Sequence, residues 1–335
     1  MIKEAILSLA KRQDLPYDTA EAVMHEIMTG KASPVQMSAY LTALSLKGET
    51  IDEITASASG MRKHCVRLLH DVNALEIVGT GGDGANTFNI STIAAIITAA
   101  AGVPVAKHGN RSASGKCGAA DVLEKLGVNI HAAPEKSSEL LRDTNICFLY
   151  AQNYHIAMKY AAPIRRELGI RTVFNILGPL TNPAGADMEL MGVYDKELVE
   201  PLAQVLCNLG VKNAMVVHGT DGLDEISMTS PTLCCEVKDG VTGSYEITPE
   251  QFGFRRCSVK DLEGGTPEDN AEILRSILNG EQGAKRDAAV LNAAAALYVA
   301  GRHRSIEGAI KTAENVIDSG KAMMKLDEFI RCSKE

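Results

Sequence analysis

The chain has 335 residues, a formal net charge of -8 and a pI near 5.6, so it lacks the general basic field that nucleic acid or an anionic membrane surface requires. With 45% hydrophobic and 23% charged residues, the composition excludes a disordered or fibrous chain and allows one large or two ordinary domains.

The opening stretch, MIKEAILSLAKRQD, is amphipathic and charged and lacks the apolar core and cleavage site of a secretory signal. Ser33-Pro34 is an N-cap and first-turn pair with Gly48 after the last turn, and Thr50 and Glu53 have capping-box spacing. The first 65 residues therefore predict a small helical bundle. From Leu75 onward, short β-rich runs alternate with helical patterns: ALEIV, STIAAIITAAAG, VPVAK, GAADVLEKLG, CFLYA, then a helix from about His155. MELMGVY and NAMVVHG flank a helix around Leu198 to Leu209. This alternation predicts a mostly parallel sheet covered by helices. Thr232 to Ile247, with Asp239-Gly240 near its centre, reads as an antiparallel hairpin, and three or four helices follow Pro267. The longest apolar run, Ile93 to Ala106, is too short for a membrane span, so a cytoplasmic protein is expected. Eight cysteines without a C-x-x-C pair predict reduced, mostly buried thiols.

Four segments carry chemistry. GTGGDGANTFNIST, residues 79 to 92, lies between a strand and an apolar helix; its glycines let backbone N–H groups approach a phosphate, and the helix N-terminus favours an anion. It matches neither a Walker A loop nor a G-x-G-x-x-G fingerprint. On spacing alone a tight turn with an ordinary cap remains open. The second, KHGNRSASGKCGAADVLEKLG, crowds Lys107, His108, Asn110, Arg111 and Ser112 at the carboxyl end of a strand, where open α/β sheets bind ligands, although a polar surface loop has the same composition. In the third, Arg165 and Arg166 follow Pro163; a guanidinium suits a carboxylate, and a solvated helix face is the plainer reading. The fourth, HGTDGLDEIS, offers Asp224 and Glu225 as hard oxygen ligands of the kind Mg²⁺ uses alongside substrate phosphates.

Together GTGGD, NIST, KHGNR, ADVLE, IRTVFNILGPLTNP and DGLDE resemble, in order and spacing, the anthranilate phosphoribosyltransferase family, and the resemblance extends over nearly the whole chain. It implies an α/β fold: a large domain, here 71–335, with a mostly parallel central sheet flanked by helices, and a small N-terminal all-α domain, here 1–70, joined by helices from about 155–180. It also implies a homodimer through the helical domain and an active site in the cleft between domains. The reaction implied is transfer of the phosphoribosyl group from phosphoribosyl pyrophosphate to the amine of anthranilate, with Mg²⁺ as cofactor. Matching positions for phosphoribosyl pyrophosphate are Gly79, Gly82, Asp83, Thr87, Asn89, Ile90, Ser91 and Thr92, then Lys107, Asn110, Arg111, Ser112, Ala113, Ser114, Gly115 and Ala119. Gly79, His108, Asn110 and Arg165 match the anthranilate positions, and Ser91, Asp224 and Glu225 the metal-linked ones. No side chain is assigned as a proton-transferring catalyst; Lys107 and His108 assist.

The sequence departs from the family pattern where Gly115, Cys117 and Ala119 replace serines and where Ile156 follows His155 in place of proline. Fewer phosphate donors predict weaker substrate binding or compensating backbone contacts, with the reaction unchanged. A different aromatic acceptor stays open at this stage. A pyrimidine nucleoside phosphorylase is the nearest other enzyme, and KHGNR and DGLDE argue against it.

Overall fold

The computed structural model describes residues 1–112 and 115–335. Four helices open the chain: α1 (Ile2–Leu9), α2 (Tyr17–Met28), α3 (Pro34–Lys47) and α4 (Ile51–Arg62). Both expected caps form. The Ser33 hydroxyl accepts from the Gln36 N–H at 3.3 Å, and the Thr50 hydroxyl accepts from the Glu53 N–H at 3.2 Å. The Glu53 carboxylate returns the bond to the Thr50 N–H at 2.8 Å, accepts from the Leu15 N–H at 2.8 Å and pairs with Lys47 at 2.9 Å. A fully buried carboxylate is thus tolerated because each of its oxygens has a donor.

The α/β part follows with β1 (Leu75–Gly79), α5 (Ile90–Ala100), β2 (Val105–Gly109), α6 (Ala119–Leu126), α7 (Pro134–Thr144) and β3 (Ile146–Tyr150). A short α8 (Ala151–Tyr154), a 3-10 turn (Ile156–Lys159), α9 (Ala162–Leu168) and α10 (Phe174–Leu177) lead to β4 (Met188–Gly192). Then come α11 (Val199–Asn208), β5 (Asn213–Gly219), β6 (Thr232–Lys238) and β7 (Val241–Ile247). The chain closes with α12 (Pro267–Leu278), α13 (Ala284–Val299), α14 (Ile306–Asp318) and α15 (Lys321–Cys332). The sheet order is β3-β2-β1-β4-β5-β6-β7, parallel through β5 and antiparallel at the β6–β7 hairpin. That hairpin turns at Asp239-Gly240, both with positive φ (51° and 78°).

Two differences from expectation stand out. The helix expected from about His155 is broken into pieces, because Pro163 lacks an N–H and fits only in the first turn of a new helix, α9. The cysteines are all free, but only Cys147, Cys234 and Cys235 are buried; the other five are half-buried at element ends and turns.

The core forms on both faces of the sheet. Met215 and Val217 of β5 join α5 and α13 on one side, while Ala214 and Val216 join α11 and the N-terminal helices on the other. Ala161, Ile164, Phe174 and Leu177, from the segment before β4, share the second core with α1–α4. Among the described residues no helix is long and apolar enough to cross a membrane. Thr50→Ala is expected to cost about 1 kcal/mol through loss of the α4 cap, read as a lower urea midpoint with an unchanged denaturant slope.

Candidate active site

The chain lays β1, β2 and β3 outward in one direction and then returns to place β4 on the other side of β1. The crevice at the carboxyl ends of β1 and β4 is therefore a topological switch point, where open α/β sheets bind ligands. Four of the five parallel strands end in glycine at this edge: Gly79, Gly109, Gly192 and Gly219. Gly79 and Gly192 are register partners, and a Cβ on either would run into Asp224, into its carboxylate from Gly79 and into its backbone from Gly192. The missing side chains make room for the loop after β5 to cross the strand ends.

The Asp224 carboxylate accepts from the Gly81 N–H at 2.6 Å, and that of Glu225 accepts from the Ser91 N–H at 3.1 Å, taking one of the unpaired N–H groups in the first turn of α5. Burial, reinforced by the charge of Asp83, pushes Asp224 up to about 7; burial and the charge of Asp224 push Glu225 up to about 8. Lys107 enters from β2, donating to the Ile77 carbonyl at 2.6 Å and to the Ser91 hydroxyl at 3.3 Å. Burial lowers its pKa, and Glu76, Glu225 and Asp224 oppose that. The strand ends thus gather Asp224 and Glu225 near one buried lysine, with Asp83 of the glycine loop beside Asp224. Among the described residues no three His, Cys, Asp or Glu side chains converge as a ready metal cage. The two carboxylates fit a Mg²⁺ ion that takes its other ligands from water and phosphate.

The glycine loop is fixed from three sides. The Thr80 N–H donates to the Gly192 carbonyl at 3.0 Å, and the Phe88 N–H donates to the Leu262 carbonyl at 3.0 Å. Arg171 donates to the Gly82 carbonyl at 2.6 Å while its guanidinium lies 3.9 Å from the Tyr194 ring centroid. Asp83 and Thr87 are half-buried in this loop, and Ile90 is buried at the start of α5. Thr92, also in that first turn, is buried with its hydroxyl unpartnered.

The second segment divides. Asn110 is exposed and accepts from the Arg111 N–H at 2.8 Å. Arg111 is turned away onto α6, with ion pairs to Asp121 at 2.9 Å and Glu124 at 2.7 Å. The Asp121 carboxylate also accepts from the N–H groups of Ser112 at 3.0 Å and Gly118 at 2.9 Å. Ala113 and Ser114 lie outside the described residues. Where serine is usual, Cys117 binds Asn89 twice: its carbonyl accepts from the Asn89 amide at 3.3 Å and its thiol donates to the amide oxygen at 3.4 Å. Burial and the nearby Asp121 charge raise this thiol to about 12, so it stays protonated. Ala119 packs against Gly109, and Gly115 faces the Ser112 hydroxyl.

On the other side of β2, His108 and His155 have ring centroids 5.0 Å apart. Burial depresses them to about 3 and about 4, so both are neutral. His108 Nδ1 lies 3.2 Å from the Gly178 carbonyl, which can only accept; the proton is therefore on Nδ1, and Nε2 presents an unpartnered lone pair. Arg165 is half-buried, lies 5.3 Å from the Phe174 ring centroid and forms no ion pair with a carboxylate among the described residues. Burial lowers its pKa.

Several contributors were not expected from sequence. Glu76, fully buried in β1, accepts from the His108 N–H at 3.1 Å and from Asn182, and burial raises it to about 8. Its register partner Glu189 in β4 is likewise raised, by burial and by the charge of Glu76. The available signal was a charge in the middle of a buried parallel strand, where apolar runs are the rule. Arg171, Asn182 and Asn292 carried no such signal. A cavity of about 420 Å³ between α12 and the start of α13, lined by Glu272, Lys285 and Arg286, includes none of these strand-end residues.

Known proteins agree with this geometry. A family model described as glycosyl transferase family, helical bundle domain, matches residues 3–65, and one described as glycosyl transferase family, a/b domain, matches residues 71–323. The chain is therefore a two-part glycosyl transferase of this class. It is 64% identical over 330 residues, 98% of each chain, to anthranilate phosphoribosyltransferase of Methanobrevibacter smithii. It is 61% identical over 333 residues, 99% of each, to that of Lachnoclostridium phytofermentans. The crystal structure of the Thermus thermophilus enzyme superposes with a TM-score of 0.94 at 43% identity over 99% of both chains. The Saccharomyces cerevisiae enzyme, solved in complex with PRPP and Mg, gives 0.91 at 28% identity over 99% of this chain and 98% of that one. The chain belongs to the anthranilate phosphoribosyltransferase family.

Two measurements follow from the site's packing. Gly192→Ala is expected to cost about 1–3 kcal/mol, because the backbone of Asp224 must move; an unchanged melting temperature would remove the close approach from the account. The depressed pKa of His155 means stability present above pH ~6.5 is lost as pH falls towards the folded value, amounting to about 2 kcal/mol by pH 5. In urea titrations His155→Gln should therefore lose less stability than wild type between pH 7.5 and 5, and parallel losses would count against a buried neutral imidazole.

Proposed function

We propose that this chain transfers the phosphoribosyl group of 5-phosphoribosyl 1-pyrophosphate to the amine of anthranilate, forming the C–N bond at the ribose anomeric carbon and releasing pyrophosphate. The observation that carries the reading is the convergence of Asp224, Glu225, Lys107 and the first turn of α5 at the β1–β4 switch point. It is a negatively charged edge beside a ready anion site, suited to a diphosphate that arrives with a cation.

Mg²⁺, when bound, supplies charge neutralisation to the departing pyrophosphate; Asp224 and Glu225, with the Ser91 hydroxyl, are the residues that would hold it. The N–H groups of the Gly79 to Thr87 loop that have no partner among the described residues, with Asn89 and Lys107, hold the diphosphate oxygens, and Gly82 and Asp83 sit at the loop's turn. Gly115 and Ala119 contribute shape and backbone only. The Cys117 contacts with Asn89 stand in for part of the missing serine interactions.

Arg165, a half-buried guanidinium with no carboxylate of its own, orients the carboxylate of anthranilate, and Asn110 its ring or amine. The His108 Nε2 lone pair accepts a hydrogen bond from the amine, leaving the nitrogen lone pair directed at the ribose carbon. With a pKa near 3, His108 orients the amine without holding a proton through the cycle. The nitrogen's proton passes to the departing pyrophosphate or to water after the C–N bond forms, and no strong base is demanded because the attacking amine is already neutral.

Hinged motion of residues 1–70 with about 155–180 against the rest would open and close this crevice. A homodimer through the helical part fits the apolar side chains it exposes: Leu7 at 65%, Val35 at 79% and Leu46 at 77%. A cytoplasmic location accords with eight free cysteines.

The test is pyrophosphate release and loss of anthranilate fluorescence with purified protein, with and without Mg²⁺. Metal-dependent turnover is expected, and intact phosphoribosyl pyrophosphate binding without turnover would point to a different acceptor. Arg165→Ala should raise KM for anthranilate about ten-fold or more, as expected for loss of a charge-assisted bond, with kcat little changed. Asp224→Asn with Glu225→Gln should instead lower kcat by about 100-fold, the scale of lost electrostatic stabilisation; the reverse pattern would exchange the roles.

A further inference from the structure

The loop that carries Asp224 and Glu225 is secured to the helices behind the sheet at Ile226. Both backbone groups of Ile226 bond to one side chain. Its N–H donates to Asn292 Oδ1 at 3.0 Å, and Asn292 Nδ2 donates to its carbonyl at 3.0 Å. The second Nδ2 hydrogen goes to the Ala288 carbonyl, one turn back in α13, at 2.9 Å. Asn292 is fully buried in the run VLNAAAALYV, where every neighbour is apolar.

Asparagine is a poor choice there on stability grounds. It is less helix-favouring than the surrounding alanine and leucine, and a buried amide is tolerated only when its bonds are made. In this helix both amide hydrogens and the oxygen are engaged, and two of the three bonds leave the helix for a single residue, Ile226. One residue earlier, the Glu225 carboxylate accepts from the Ser91 N–H at the start of α5, and α5 packs against α13. Glu225 is thereby located twice against one helix pair: through its own side chain by α5 and through the next peptide unit by α13. Asp224, whose backbone fills the gap over Gly192, moves with the same peptide chain.

We propose that Asn292 is a positioning residue that sets the Asp224–Glu225 carboxylates for a divalent cation arriving with a diphosphate; this rests on the reading of those two residues given above. Asn292 touches neither substrate nor metal.

The test compares wild type with Asn292→Ala and with Asn292→Asp, which keeps the acceptor for the Ile226 N–H but not the two donors and covers the case in which the alanine variant fails to fold. Hydrogen exchange on the ligand-free proteins should show loss of protection at the Ser91 and Ile226 amides, at least ten-fold faster in Asn292→Ala and less in Asn292→Asp. Calorimetric titration of phosphoribosyl pyrophosphate with Mg²⁺, and the Mg²⁺ dependence of turnover, should both weaken at least five-fold, with KM for anthranilate within two-fold of wild type. A lower melting temperature with unchanged exchange at Ser91 and unchanged Mg²⁺ dependence would overturn the proposal and leave Asn292 as a core residue. Asp224→Asn in the same titrations separates the two ideas. If it leaves Mg²⁺ dependence unchanged, the metal reading fails, and the exchange at Ser91 alone then decides whether Asn292 positions the loop.

Discussion

The close approach of a backbone to two paired strand ends governs this site. Gly79 and Gly192 lie opposite each other on β1 and β4, and the peptide of Asp224 occupies the space where their side chains would be. Because the strand order reverses between these two strands, the connections leave them in opposite directions, and a loop from β5 can cross the edge. The acidic pair reaches the first turn of α5 because that loop lies flat on glycine.

The electrostatic character follows from the same packing. Asp224, Glu225 and Lys107 share a buried edge, and burial pushes the pKa values of both carboxyls up. The α5 N-terminus beside these carboxylates favours an anion. On the far side of β2 the two imidazoles of His108 and His155 are uncharged.

Much of this was legible residue by residue. Strand-to-helix alternation located β1, β2, β3, β4 and β5, the Ser33 and Thr50 caps set two helices, and the glycine-rich turn and the DGLDE loop announced themselves by composition. The replaced serines illustrate the limit. Loss of three hydroxyls was readable, but the bonds between Cys117 and Asn89, 28 residues apart in sequence, depend on how the segment before α6 lies against the start of α5. Arg111 illustrates it too: its ion pairs with Asp121 and Glu124 on α6 could not be read from its placement in KHGNR. The helix expected from about His155 forms only in pieces, because Pro163, whose missing N–H divides the stretch, opens α9 anew.

The sequence by itself determined the local events: where the chain turns, which runs are strand or helix, and which short loops hold glycine, acid or base, since each follows from backbone sterics and hydrogen bonding within a few residues. Only the tertiary structure decided which of those loops meet. Strand order placed Gly79 beside Gly192, brought Glu76 against Glu189, and set Asn292 beneath Ile226, pairings separated by 66 to 113 residues. Such contacts are invisible to periodicity because they depend on the order in which strands join the sheet, and that order is settled by burial of whole faces and not by any one residue's preference.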